Sequence, residues 1–120
     1  EGVPHKLFHM AVSDRNDVLA QVFRAKAIIV GSPTLNRGVL PTIAPILEDL
    51  RGLGFRNKVG AAFGSYGWSG ESPQVIEEHL RRSEIDLAAS SVRAKWQPQA
   101  DDLERCRELG REVAASVLAE

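Results

Sequence analysis

The chain has 120 residues, of which 43% are hydrophobic and 26% are charged, and its formal net charge is −1. This length fits one globular domain with a buried core and is too short for two. A nearly neutral balance with scattered Lys and Arg gives no electrostatic footprint for nucleic acid or an anionic membrane surface, so we expect neither as a partner.

Cys106 is the one cysteine of the sequence, which excludes an internal disulfide and a multi-cysteine zinc or iron–sulfur site. It falls on the apolar stripe of a predicted helix, so we expect it to be a small core residue. A single buried thiol suits a reducing compartment, and no apolar stretch reaches the length of a membrane span, so a cytoplasmic location is expected. The opening Glu1-Gly2-Val3-Pro4 reads like the end of a helix-to-strand turn, and we expect the chain to be cut from something longer.

The first half of the chain alternates short apolar runs with helical patterns. Residues 6–12 (KLFHMAV) predict a strand, and a Ser-Asp pair then caps a helix over residues 14–23. Residues 27–30 (AIIV) form a near-continuous apolar run, as expected for a strand covered on both faces. A helix over residues 41–50 follows, with its prolines at or near the first turn. The first helix is expected to turn four apolar side chains to one side: Val18, Leu19, Val22 and Phe23.

The second half continues the same alternation. Residues 58–63 (KVGAAF) predict a third strand, and Ser72-Pro73 opens a helix that runs through residue 82. Residues 87–95 predict a more polar, edge strand, and residues 101–118 a long closing helix. Four strands separated by helices predict an α/β fold with a parallel sheet and right-handed crossovers.

Two predicted strand ends carry unusual loops, and in an open α/β sheet ligands bind at the carboxyl ends of the strands. The first loop is rich in hydroxyls, amides and backbone N–H groups that can bond the edge of a heteroaromatic ring. The second places two large aromatic side chains among glycines, which let the backbone come close to a ligand. A planar ligand satisfies both loops, whereas the alternative is that the aromatics merely cover the core. The candidate residues are Ser32, Pro33, Thr34, Leu35, Asn36, Ser65, Tyr66, Gly67, Trp68, Ser69 and Gly70.

The motifs AKAIIVGSPTLNRGVLPTIAP, NKVGAAFGSYGWSGES and VRAKWQPQADDLERCRELG closely resemble the flavodoxin-like domain of flavodiiron proteins, also called A-type flavoproteins or flavorubredoxins. The resemblance runs over nearly the whole chain, and it implies a flavodoxin-like three-layer sandwich that binds FMN. It further implies that the residues from Ser32 to Asn36 flank the flavin ring, and that those from Ser65 to Gly70 form the third loop of the pocket. In that loop Trp68 is the implied stacking partner.

The chain also departs from the family pattern. The first strand and helix of the family, with the hydroxyl-rich loop that cradles the FMN phosphate at a helix N-terminus, have no counterpart here. The metallo-β-lactamase-like domain and its H-x-E-x-D ligand pattern are absent as well. Residues 1–120 are therefore expected to be an N-terminally truncated flavodoxin-like domain, a flavin electron carrier that is an oxidoreductase only as part of a larger protein.

By resemblance, the function expected is that of the FMN-binding electron-transfer domain of a flavodiiron-type oxygen or nitric oxide reductase. The partners implied are a rubredoxin-like or NAD(P)H-linked electron donor, the di-iron domain and further copies of the chain in a homo-oligomer. Two alternatives stay open. One is a truncated flavodoxin-like scaffold that no longer binds flavin, and the other is a flavodoxin-like quinone reductase.

The remaining polar residues favour ordinary readings. His5 and His9 flank a predicted strand and lack a third ligand, and His79 has no partner at ligand spacing, so we expect no metal site and a solvated His79. No nucleophile–base arrangement or carboxylate pair stands out, so no catalytic residue is assigned. Arg37 is the one charge in the first loop, and it is expected to face the flavin or a redox partner.

Flavodoxin-like sheets run in the order 2-1-3-4-5, so the absent first strand would be a central one. Residues 6–12 and residues 27–30 would then flank an empty position, which a folded sheet does not tolerate. Three outcomes are open: direct pairing of the two segments, a strand from a second chain, or a strand from a segment outside this sequence. The third is the one we expect.

Overall fold

The computed structural model describes residues 2–54 and 57–119. Within these ranges there are four helices and four strands, which alternate except that the third and fourth strands follow one another, and every strand pair is parallel. The elements in chain order are α1 (Arg15–Arg24), β1 (Ala27–Gly31), α2 (Ala44–Gly52), β2 (Val59–Tyr66), α3 (Ser72–Arg82), β3 (Asp86–Leu87), β4 (Val92–Lys95) and α4 (Ala100–Leu118). The parallel α/β architecture expected from the sequence is confirmed.

Local signals set the starts of the helices. The Asp14 carboxylate accepts the backbone N–H of Asn16 at 2.8 Å, which caps α1 as predicted. Pro45 lies in the first turn of α2, which begins later than predicted because residues 41–43 form a turn. At α4 the Asp102 carboxylate accepts the backbone N–H of Gln99 at 3.0 Å, as part of a capping box.

Strand β2 is the centre of the sheet. β1 pairs with it from Ala27 opposite Val59 to Gly31 opposite Phe63. Along its other edge, β3 pairs with the start of β2 and β4 pairs with its end. The predicted strand over residues 87–95 is thus two short strands, and β2 runs three residues further than predicted because β4 supplies hydrogen-bonding partners as far as Tyr66.

The two faces of the sheet are covered unequally. Helices α1, α2 and α3 pack on one face and build the larger core around the fully buried Leu47, Leu50, Ile76 and Leu80. Helix α4 packs on the other face through Leu109 and Val113. Two expected core residues are instead exposed: Phe23, at 71%, and Cys106. The buried residues of these helices are Val18 and Val22 on α1 and Leu109 and Val113 on α4, so the buried stripe is narrower than the apolar periodicity predicts.

The strand predicted over residues 6–12 is wrong. Residues 2–9 carry no regular secondary structure, residues 10–12 form a turn, and Leu7 and Val12 are 93% and 82% exposed. A strand forms only beside a partner, and this segment does not reach β1, so direct pairing of the two is excluded. The second edge of β1 has no strand beside it among the described residues, and Ile29 on β1 is 43% exposed. The expectation that this strand is covered on both faces is therefore also wrong.

None of the helices within residues 2–54 and 57–119 combines the length and the apolar character that crossing a membrane requires.

Candidate functional site

A cleft of about 400 Å³ opens where β1 and β2 end. The two predicted loops meet there, because parallel strands deliver their carboxyl ends to the same edge of the sheet. Five of the predicted candidates line this cleft, together with two residues that follow β4. The lining residues are Pro33, Thr34, Ser65, Tyr66, Gly67, Trp96 and Gln97.

The first loop is held in place by the buried hydroxyl of Ser32. This hydroxyl donates to the carbonyl of Pro33 at 2.8 Å and accepts the backbone N–H of Leu40 at 3.0 Å. With the Ser32 side chain only 4% exposed, its oxygen shapes the loop from within. The sequence pattern alone did not distinguish this internal role from a ligand contact.

Thr34 ties the first loop to the second. Its backbone N–H donates to the carbonyl of Ser65 at 2.9 Å, and its hydroxyl accepts the backbone N–H of Ser72 at 3.1 Å. The cleft is therefore bounded by two loops that are hydrogen-bonded to each other and to the start of α3. Such cross-linking pre-organises the walls before any ligand binds.

The tip of the first loop is a tight turn that does not line the cleft. Leu35 and Gly38 exchange two backbone hydrogen bonds, at 3.1 and 2.9 Å, around Asn36 and Arg37, whose φ angles are 50° and 62°. Two successive positive φ angles define a type I′ turn, which Asn tolerates well. Leu35 is 43% exposed and Asn36 is exposed, and neither is among the residues that line the cleft.

In the second loop Tyr66 is packed and Trp68 is free in solvent. The Arg93 guanidinium lies 5.8 Å from the centroid of the Tyr66 ring, and the same ring covers Gly70, where an added Cβ would lie 3.1 Å from Tyr66 Cδ1. Trp68 is 97% exposed and does not line the cleft. Ser69 is half-buried beside it.

Trp96 and Gln97 are the two lining residues that sequence reasoning missed, and Trp96 is the aromatic one. It directly follows β4, and its backbone N–H donates to the carbonyl of Tyr66 at 2.7 Å. The signal that could have found it is an aromatic residue immediately after a strand expected to pair near the end of β2. The segment after β4 therefore lines the cleft together with the two predicted loops, although it is distant from both in sequence.

The lining is neutral, since none of its seven residues carries a charged side chain. Two of the seven, Tyr66 and Trp96, are aromatic. A flat heteroaromatic ring fits such walls, because aromatic faces pack against it and backbone groups can bond its edge. These residues therefore fit the ring system of a flavin. None of the seven lining residues begins a helix, which is where the family resemblance implies the phosphate site.

The chain is 48% identical over 117 residues to a nitric oxide reductase of Moorella thermoacetica. The matched region covers 97% of this chain and 29% of that protein. Among solved structures, it superposes on rubredoxin oxygen:oxidoreductase of Desulfovibrio gigas with a TM-score of 0.92 and 38% identity, covering 95% of this chain and 28% of that one. A flavodoxin from the domain Archaea matches with a TM-score of 0.77 and 32% identity, covering 90% of this chain and 73% of the flavodoxin. No protein-family model matches the chain.

The chain belongs to the flavodoxin family. Over nearly its whole length it is similar to the flavodoxin-like part of flavodiiron proteins. The expectations for family and fold are confirmed. Its flavodoxin and flavodiiron homologues imply a flavin cofactor for this flavodoxin-like domain. The chain spans less than a third of the reductases that it matches.

The flavodoxin-like domain has a second, polar cleft of about 360 Å³ beside α3. Arg37 lines this second cleft and is not among the residues that line the first one. His79, expected to be solvated, also lines it, and its Nδ1 atom is buried without a hydrogen-bond partner, as is Oε2 of Glu71. In the described part of the chain no three His, Cys, Asp or Glu side chains lie close enough to bind a metal ion.

Proposed function

We propose that this flavodoxin-like domain binds FMN and transfers electrons as the flavin-carrying part of a flavodiiron-type oxygen or nitric oxide reductase. The observation that carries the proposal is the neutral cleft at the two loops, whose lining includes Tyr66, Gly67 and Trp96. The flavin supplies the redox chemistry, and the protein's contribution is binding, orientation and the electrostatic setting of the ring.

Each predicted site residue has a role in the proposal. Residues Ser32, Pro33, Thr34, Leu35 and Asn36 form the loop that flanks the ring, and within it Pro33 and Thr34 line the cleft. Residues Ser65, Tyr66, Gly67, Trp68, Ser69 and Gly70 form the loop that reads the ring edge and covers its face. Trp68, whose indole is almost fully exposed, is proposed to close over the ring when a flavin binds.

The proposed electron donor is a rubredoxin-like protein or an NAD(P)H-linked reductase, and the proposed acceptor is the di-iron domain of the same protein family. The Desulfovibrio gigas relative is named a rubredoxin oxygen:oxidoreductase, which supports this pairing. We further propose a homo-oligomeric protein of the cytoplasm, without nucleic acid or membrane partners, in line with the net charge of −1.

Residues 1–120 are proposed to be an N-terminally truncated flavodoxin-like domain. The support is the unequal sheet: beside the free edge of β1, Ile29 and Phe63 are 43% and 42% exposed on the face that only α4 covers. A further strand beside β1 and a helix over Ile29 and Phe63 would bury both side chains. The same added segment is proposed to supply the hydroxyl-rich phosphate loop that the family resemblance implies.

Titration with FMN and with riboflavin tests the proposal, because the two ligands differ by the phosphate group. We expect this chain to bind both weakly and alike, and the complete protein to bind FMN much more tightly than riboflavin. A complete protein that binds neither ligand would overturn the proposed function and leave a scaffold role. A large preference for FMN in the isolated chain would instead show that a phosphate site is already present.

A further inference from the structure

Trp96 adopts a backbone conformation that large side chains avoid. Its φ angle is 58°, in the left-handed region, where a bulky residue without a compensating role is an outlier. Strained positions of this kind cluster at ligand sites, because the surrounding structure must hold them in place. At Trp96 the holding contact is the 2.7 Å hydrogen bond from its N–H to the carbonyl of Tyr66.

The absence of a side chain at Gly67 allows the Trp96 indole to lie close across the backbone. A Cβ added at Gly67 would lie 3.0 Å from both Cη2 and Cζ3 of Trp96, tighter than ordinary van der Waals contact. This contact fixes the position of the ring without burying it, since Trp96 is still 71% exposed. Core packing therefore does not account for a strained tryptophan at this point.

Of the two aromatic side chains that line the cleft, Trp96 has the more exposed ring, against which a ligand could pack. Tyr66, the other aromatic wall, is already packed against Gly70 and lies under the Arg93 guanidinium. Leaving an indole in water is unfavourable, and a flat ring bound in the cleft would remove that exposure.

We propose that Trp96 is a direct ring contact of the flavin site, packing its indole against the bound ring as a preformed third wall. The inference rests on the proposed function, and it adds a residue from the segment after β4 to the two loops that the family resemblance implies. Trp96 acts by binding and orienting the ring, and it takes part in no chemical step.

Oxidative footprinting of the complete protein tests this contact directly, with FMN as the probe. Trypsin places Trp96 in the peptide 96–105, Trp68 in the peptide 59–81 and Phe23 in the peptide 16–24, so mass spectrometry follows each one separately. Phe23 is the internal control, because it is as exposed as Trp96, at 71%, and lies on α1 outside the cleft. Any slower oxidation of Phe23 measures how much the free flavin consumes the radicals. We expect saturating FMN to slow the oxidation of Trp96 several-fold relative to Phe23.

The variant Trp96→Asn distinguishes an effect on FMN affinity from an effect on folding stability. Asn tolerates the left-handed conformation, so Trp96→Asn removes the indole while relieving the backbone. We expect the midpoint of thermal unfolding without flavin to be unchanged or higher, and FMN affinity to fall about 2- to 13-fold, the equivalent of the usual stacking contribution. Glu84→Asn is the matched control, since Glu84 also has a left-handed φ, of 62°, and does not line the cleft.

The outcomes are distinguishable. A protein that holds FMN while Trp96 oxidises at an unchanged rate, or while Trp96→Asn binds FMN as tightly as the wild type, overturns the inference and leaves the proposed function intact. A wild-type protein that takes up no flavin overturns the proposed function itself. If Trp96→Asn fails to fold, the footprint of the wild type decides alone.

Discussion

The buried hydroxyl of Ser72 donates a 2.7 Å hydrogen bond to the backbone carbonyl of Ser32, across 40 residues of sequence. This bond joins the start of α3 to the loop after β1, and Gly64 of β2 lies against both partners. A Cβ at Gly64 would lie 2.5 Å from Ser72 Oγ and closer still to the Ser32 carbonyl oxygen. The shape of the cleft therefore depends on a position where only glycine fits.

We expect Gly64→Ala to lower the free energy of unfolding by about 1–3 kcal/mol, because the added methyl must displace backbone as well as side chain. Urea denaturation followed by circular dichroism measures the change. Gly38→Ala is the matched control, since the nearest atom to its added Cβ would be the Leu35 carbonyl oxygen at 3.7 Å, an ordinary contact. Equal effects of the two substitutions would contradict the steric account.

We expect Trp68→Ala to weaken flavin binding more than Tyr66→Ala, by roughly 0.5–1.5 kcal/mol in stacking. Since Trp68 is 97% exposed, its loss should leave the unfolding midpoint without flavin unchanged. Dissociation constants from titration of the flavin absorption bands give the comparison. If neither substitution changes the affinity, the aromatic residues of this loop have no role in binding.

The carboxylate of Asp102 is expected to contribute less to folding stability at acid pH. The backbone N–H of Gln99 and then the guanidinium of Arg105 hold the pKa of Asp102 below its ordinary value of 3.8. Because the folded state lowers this pKa, the stabilisation is complete above the unfolded value and is lost as the pH falls through the folded one. We expect the stability difference between wild type and Asp102→Asn to be largest near pH 7 and to shrink below pH 3.8.

Urea denaturation at pH 7, 4 and 3 measures this difference, provided that the chain remains folded without denaturant at the lowest pH. Glu112→Gln removes one negative charge from the same helix and controls for net charge. A difference that does not change with pH would show that the Asp102 capping contacts add nothing to the folded state.

We expect a substitution on the exposed face of β1 to cost less stability in the isolated chain than in the complete protein. Ile29→Lys should cost little in the isolated chain, where Ile29 is 43% exposed. In the complete protein we expect a loss of about 2–4 kcal/mol or failure to fold, because an added strand and helix would bury the charge. Leu53→Lys, at a position 59% exposed at the end of α2, is the control. Equal effects of Ile29→Lys in both proteins would argue that nothing further covers β1.

Signals within a few residues determined much of this flavodoxin-like domain from its sequence. The Asp14 cap, the Ser72-Pro73 helix start and the apolar run at residues 27–30 each encode a local structure that forms where predicted. Their alternation predicts a parallel sheet, and a parallel sheet places the Ser32 and Ser65 loops at one edge. The bounds of these elements and five of the seven lining residues of the cleft could therefore be predicted.

Only the tertiary structure decided which segments pair and which side chains remain exposed. The apolar run at residues 6–12 has the composition of a strand, but it remains irregular because a strand needs an adjacent edge to supply its hydrogen bonds. β2 extends to Tyr66 because β4 pairs with it there, and that pairing brings Trp96 and Gln97 into a cleft whose other five residues lie between positions 33 and 67. Phe23 and Cys106 match the helical periodicity and are exposed all the same, since the periodicity does not specify how wide a stripe of each helix the tertiary packing buries.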